Sequence, residues 1–183
     1  MAIKTNLTGD ALIDFRKKRS YRTRFMNEMH GVFLCGYQNK TCTFSDRQCM
    51  FRASKENEEI VSGVSKRLRY EYHLIKMSSG KMDLPQNVTL AYNSEDEGVI
   101  TFTAPVPIDG NWYRQAYIVQ YNASKREGRM FKMTIHTENV GLLFSPGENT
   151  YGDEIRYWLF IASEDESSRS DSIYLGQIKP LSN

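Results

Sequence analysis

The chain has 183 residues, 40% of them apolar, with 24 Lys and Arg against 22 Asp and Glu. That size and balance suit one full domain with an appended element, and exclude a disordered tail or a disulfide-stapled mini-protein. The net charge of +2 is unevenly distributed: residues 1–70 hold 14 basic and 7 acidic side chains, residues 71–183 hold 10 and 15. A basic first third on an acidic remainder points to a part that places itself against a negative surface or against its own copies, more than to an enzyme.

Taken in chain order, residues 1–30 offer apolar positions at Ala11, Leu12, Ile13 and Phe15, and again at Phe25, Met26 and Met29. Between them lies a segment in which six of nine residues are basic: Arg16, Lys17, Lys18, Arg19, Arg22 and Arg24, interleaved with Ser20, Tyr21 and Thr23. A helix so charged at its middle cannot bury a continuous stripe, so the pattern predicts an exposed arm or a helix ordered by a partner. Residues 31–37 and 40–44 read as two short strands around a Gln38-Asn39 turn. Ser45-Asp46-Arg47-Gln48 matches a capping box and predicts a helix over about 46–66, with Cys49, Ala53, Ile60 and Val64 on its apolar face.

From Leu68 the rhythm changes to period two, with Leu68, Tyr70, Tyr72 and Leu74 alternating with Arg69, Glu71 and His73. Further strands are expected at 88–92, 99–103, 115–122, 130–136, 140–145, 154–163 and 172–178, separated by turn-rich pieces. Short strands with turns at about ten-residue intervals predict a mainly β chain folded as an antiparallel sandwich of the fibronectin-III or immunoglobulin type. Residues 155–161 are apolar at nearly every position and are expected at its centre. The division expected is 1–67, a basic arm, hairpin and helix serving as a docking element, and 68–183, a sandwich able to fold alone.

Several stretches carry a family resemblance: Gln115-Ala116-Tyr117-Ile118-Val119-Gln120-Tyr121-Asn122, then Gly152-Asp153-Glu154-Ile155 with Tyr157, Phe160 and Ala162-Ser163-Glu164-Asp165, then Ser172-Ile173-Tyr174-Leu175-Gly176. Together with Tyr72, Ile75, Met77-Ser78, Gly80, Met82 and Leu84-Pro85, this order resembles an uncharacterised family of Bacteroidetes genomes and their phages. The resemblance covers about residues 70–178, is weak over 31–66 and leaves 1–30 unmatched. It implies a basic hairpin and helix followed by a fibronectin-III-like sandwich, with a structural or adhesive role and no catalytic residues to carry over.

Candidate chemistry is sparse. Cys35, Cys42 and Cys49 are spaced seven apart with His30 five residues before the first. They lack the Cys-x2-4-Cys knuckle of structural zinc sites, so no metal is expected. His73 and His136 fall at polar positions of expected strands, and Glu95-Asp96-Glu97 and Glu164-Asp165-Glu166 fall in turns without a calcium-loop pattern. No nucleophile elbow, phosphate-cradling glycine loop or His-Glu-x-x-His motif occurs. Neither a catalytic residue, a cofactor nor a small-molecule substrate is therefore expected.

The functional signal is the basic segment, with Arg16, Lys17, Lys18, Arg19, Tyr21, Arg22 and Arg24 as the docking residues. They suit first acidic loops of other structural proteins or of a second copy, and, as the alternative, phosphates with base stacking on Tyr21. The reading is a non-enzymatic assembly protein and homo-oligomer, by the resemblance a bacteriophage virion component (head–tail or tail ring, or capsid-associated) made in the bacterial host cytoplasm. The alternative is a cytoplasmic nucleic-acid-binding accessory protein. No apolar run approaches the roughly 18 residues of a membrane helix and no leader-like start is present, so a membrane is not expected among the partners.

Overall fold

A computed structural model describes residues 9–38, 44–64, 67–93, 97–107, 110–145, 147 and 152–178. Three helices come first: α1 (Asp10–Glu28), α2 (His30–Tyr37) and α3 (Asp46–Glu56). Two-residue strands β1 (Val61–Ser62) and β2 (Arg69–Tyr70) pair with each other, and a single 3-10 turn follows at Tyr72–Leu74. Seven longer strands complete the chain: β3 (Gln86–Tyr92), β4 (Gly98–Thr103), β5 (Arg114–Asn122), β6 (Glu127–Ile135), β7 (Asn139–Phe144), β8 (Ile155–Ser163) and β9 (Ile173–Ile178). They form two antiparallel sheets, β3-β4-β7 and β6-β5-β8-β9.

The two sheets share one core. Ile100 and Phe102 of β4 and Val140 and Phe144 of β7 meet Ala116 and Ile118 of β5 and Ile155, Tyr157, Leu159 and Ile161 of β8. The alternate residues of the same strands, Tyr117, Val119 and Tyr121 on β5 and Trp158, Phe160 and Ala162 on β8, point the other way. There they pack against Phe25, Met26 and Met29 at the end of α1, Val32, Phe33 and Tyr37 of α2, and Cys49 and Ala53 of α3. The larger sheet is thus covered on both faces, which is why 155–161 carries no polar alternation apart from Arg156. The seven longer strands coincide with the sequence expectation to within a few residues at their ends.

Three expectations for the first third are corrected. Residues 31–37 form a helix, not a strand: Val32, Phe33, Gly36 and Tyr37 are the buried positions, a spacing that lines one helical face. A short apolar run suits either structure, and here the neighbouring helix decides it, since Met29 joins α1 to α2: its amide donates to the Phe25 carbonyl and its carbonyl accepts from the Phe33 amide. Of the partner strand expected at 40–44, residues 40–43, with Cys42, lie outside the described residues, and Phe44 is not in a strand.

The second helix expected, 46–66, starts as read but is shorter. The Ser45 amide donates to Gln48 Oε1 at 2.8 Å and the Gln48 amide to Ser45 Oγ at 3.4 Å, the reciprocal capping box. The helix ends at Glu56 because the buried Asn57 side chain turns to residue 76, accepting from the Lys76 amide at 2.8 Å and donating to the Lys76 carbonyl at 3.0 Å. Ile60 is buried beyond the helix end and Val64 is exposed. The alternating strand expected from Leu68 to Leu74 shrinks to β2 and the 3-10 turn, because Tyr70 and Tyr72 belong to the helical layer: both pack on Phe25, with ring centroids 5.1 and 6.5 Å away.

The close seating of α2 depends on Gly36, where a Cβ would overlap the Met77 carbonyl oxygen while Ser78 Oγ donates to the Gly36 carbonyl at 3.1 Å. Backbone lies on both sides of that contact, so it cannot be relieved by a rotamer change. Gly36→Ala is expected to destabilise by about 2–3 kcal/mol, outweighing the gain of about 1 kcal/mol in helix propensity. Thermal melting checks it, with Tm expected lower by roughly 5–10 °C.

Candidate docking surfaces

The basic segment lies wholly within α1, a 19-residue helix roughly 28 Å long. Arg and Lys are good helix formers, and the charged centre is tolerated because the helix is anchored mainly at its C-terminal end, where Phe25 and Met26 are fully buried. Helical rotation divides the seven candidates. Tyr21 turns inward: its ring stacks on Tyr70 at 4.7 Å, and its carbonyl accepts from the Tyr70 hydroxyl at 3.0 Å. Lys18 and Arg22 flank it, half-buried, with Arg22 Nη1 3.4 Å from the Glu58 carbonyl oxygen.

Arg16, Lys17, Arg19 and Arg24 are exposed, and Arg16, Arg19 and Arg24 share one outward face with Ser20, Thr23 and Asn27. The Arg24 guanidinium lies 5.5 Å from the Tyr21 ring centroid, so Tyr21 is covered on both sides. Near the helix start Ile13 and Phe15 are each about half exposed, at 49% and 50%, giving this end an apolar and cationic surface.

The other end of α1 is fixed by an aromatic cluster. The Phe25 ring meets Tyr121 edge-on at 5.0 Å, and the Tyr121 hydroxyl donates to Glu28 Oε2 at 2.6 Å. Burial and the Glu28 carboxylate together push the Tyr121 hydroxyl far above its ordinary range, so it stays a donor. Tyr72 is raised to about 12, chiefly by burial.

A groove of about 740 Å³ opens at the opposite end of β5, beside Arg114. Its floor and rim include Met82, Val106 and Tyr113, of which Val106 is 70% and Tyr113 54% exposed. An adjoining hollow shares Met82, Asp83 and Val106 and adds Leu84, 45% exposed. Three carboxylates edge this surface, Asp83, Glu164 and Asp165.

The turn after β8 holds the last two in place. Asp165 Oδ1 accepts from Ser163 Oγ at 2.7 Å and from the Ser167 amide at 2.9 Å, and Ser168 closes the turn on Ser163 through its amide at 3.0 Å. Those hydrogen bonds pull the Asp165 carboxyl down to about 2, keeping it charged. Asn111 Nδ2 donates to Glu164 Oε2 at 3.2 Å, and Arg114 is spent on the Pro105 carbonyl at 3.0 Å.

The remaining candidates are structural. Cys35 on α2 lies 4.0 Å from Arg169 Nη1, whose Nη2 is 3.5 Å from Glu166 Oε2; Glu166 also pairs with Lys132. This clamps α2 to the turn after β8, and burial raises the Cys35 thiol, the opposite of an activated nucleophile. Cys49 is buried within the core between the helices and the sheet. Among the described residues no three His, Cys, Asp or Glu side chains gather as a metal site. His73 is exposed beside Glu71, and His136 is exposed with its ring 4.8 Å from Tyr113. Of the acidic cluster at 95–97, residues 95 and 96 lie outside the described residues.

The sequence reading missed the groove. It takes 164–166 as a solvated turn, and only the structure brings Leu84, Val106 and Tyr113 from three separate segments to that turn. Compared with known proteins, the chain matches no family model and no curated protein.

Proposed function

We propose that the chain is a non-enzymatic assembly protein acting through protein–protein contacts, with the outward face of α1 as its docking surface. The observation that carries this reading is the fate of the basic segment. Its aromatic residue is consumed in holding the helix to the body, while Arg16, Arg19 and Arg24 are left outward on one ordered face. Ordered guanidinium groups suit carboxylates in fixed positions, whereas a single-strand nucleic-acid groove needs exposed rings on which bases stack.

The seven-stranded pair of sheets supports a fibronectin-III-like body. Relative to the four-plus-three immunoglobulin arrangement, the fourth strand, β6, pairs with the third, β5, instead of joining the other sheet. The place of such a body in a phage virion rests on the family resemblance alone.

The test replaces Arg16, Arg19 and Arg24 with Ser. Exposed charges contribute little to fold stability, and the Arg24–Tyr21 contact adds about 0.5–1 kcal/mol, so melting is expected to change by about 1 kcal/mol or less. Light scattering is expected to show salt-sensitive assembly in the parent and none in the variant, with duplex DNA bound only at roughly 10⁻⁴–10⁻⁶ M near physiological salt. Phosphates are the competing target, since Ser20 and Thr23 accompany the arginines. Sub-micromolar DNA binding at about 150 mM salt, removed by the substitution while assembly persists, would replace the assembly reading with the nucleic-acid one.

A further inference from the structure

We infer that the partner of α1 is a second copy of this chain, and that its receptor is the groove between Leu84, Val106 and Tyr113 at the Arg114 end of β5. This rests on the assembly reading above and names its surfaces. The two surfaces are complementary in both characters. The α1 side offers half-exposed Phe15 on the same helical face as Arg16 and Arg19; the groove offers three exposed apolar side chains edged by Asp83, Glu164 and Asp165. Against those three carboxylates stand two cations, Lys81, which is exposed, and Arg114, which is buried with its Nη1 on the neutral Pro105 carbonyl and keeps its charge, so the lining remains net negative by one. The charge asymmetry between residues 1–70 and 71–183 acquires a purpose in such a contact, since each copy brings the sign that the next one lacks.

The two surfaces are different patches with no residue in common. Glu28 and Phe25 hold α1 at the Tyr121 end of β5, while the groove opens at Arg114, seven residues and roughly 23 Å along the same strand. A contact between different patches of identical chains is head-to-tail, so it leaves a free helix and a free groove on every added copy. It grows until a ring closes or a filament forms.

Two variants of the full chain test this. The first, Phe15→Ser with Arg16→Ser and Arg19→Ser, disables the helix and keeps the groove. The second, Asp83→Lys with Val106→Lys, disables the groove and keeps the helix. All five positions are exposed, and near-ultraviolet circular dichroism verifies that each variant is folded. Sizing by light scattering is expected to give concentration-dependent species beyond two copies for the parent and single chains for either variant alone. An equimolar mixture of the two is expected to give a dimer and nothing larger, because only one helix and one groove remain competent.

A mixture that stays monomeric, or a groove variant that assembles like the parent, overturns the groove as receptor while leaving assembly through α1 in place. A parent that remains a single chain at every concentration and salt overturns self-association altogether. In that case the assembly reading survives only if the parent still binds a different protein through α1.

Discussion

A chain cut to residues 68–183 is expected to lose cooperative melting. The sequence pattern suggests a self-contained sandwich in that stretch, but the core runs across the boundary: Tyr117, Val119, Tyr121, Trp158 and Phe160 are each 1% exposed or less and face the helices. Removing residues 1–67 would strip the helices from this face, leaving Tyr72, beside Trp158 and Tyr121, and Tyr174, beside Trp158, as part of its cover. At about 1.5–3 kcal/mol for each large apolar side chain fully exposed, the loss is at most about 7–15 kcal/mol, comparable to the whole stability of an ordinary domain at about 5–15 kcal/mol. Circular dichroism melting and dye binding to exposed apolar surface read the result directly. Sharp melting of the fragment near the full chain's Tm would mean that the helical layer is an accessory and that the core between the sheets suffices.

Trp158→Ala is the second large effect, expected to cost about 3–5 kcal/mol, as other buried aromatic truncations do. Trp158 is wholly buried, with its ring 5.3 Å from Tyr174 and 6.3 Å from Tyr72, so a cavity there would open between sheet and helices. Trp158→Phe is expected to cost much less, about 1–2 kcal/mol. The indole Nε1–H has no hydrogen-bond partner among the described residues, so removing it also relieves a buried unsatisfied donor. Denaturant unfolding measures both, and equal losses for Ala and Phe would assign the cost to the indole group itself and not to the volume filled.

The strands from β3 onward were legible because their signal is local. Alternation with turns marks the sheet of β3, β4 and β7, and apolarity broken only by Arg156 at 155–161 marks a strand covered on both faces. What the pattern could not give was the cover itself. Residues 31–37 are apolar throughout, and only the packing of Phe33 against Phe25, 6.2 Å apart, decides for a helix. The alternation of Tyr70 and Tyr72 likewise looks like sheet, yet it arises because both rings join the α1 cluster.

The candidate site was half legible for the same reason. Lys and Arg at six of nine positions are plain in the sequence, but the helical rotation that turns Tyr21 inward and Arg16 and Arg19 outward is not. The groove, built from residues 82–84, 105–114 and 163–168, has no contiguous signature.

The two-sided sheet also gives the molecule a pair of built-in optical reporters. The chain has two tryptophans. Trp158 lies in the layer between the larger sheet and the helices, and Trp112 is half-buried against the layer between the two sheets. Each fluorophore therefore sees one side of the same wall. Spectra of single-tryptophan chains separate the loosening of the helical cover from the opening of the two sheets, without any label, and distinguish a molecule that comes apart in one step from one that sheds its helices first.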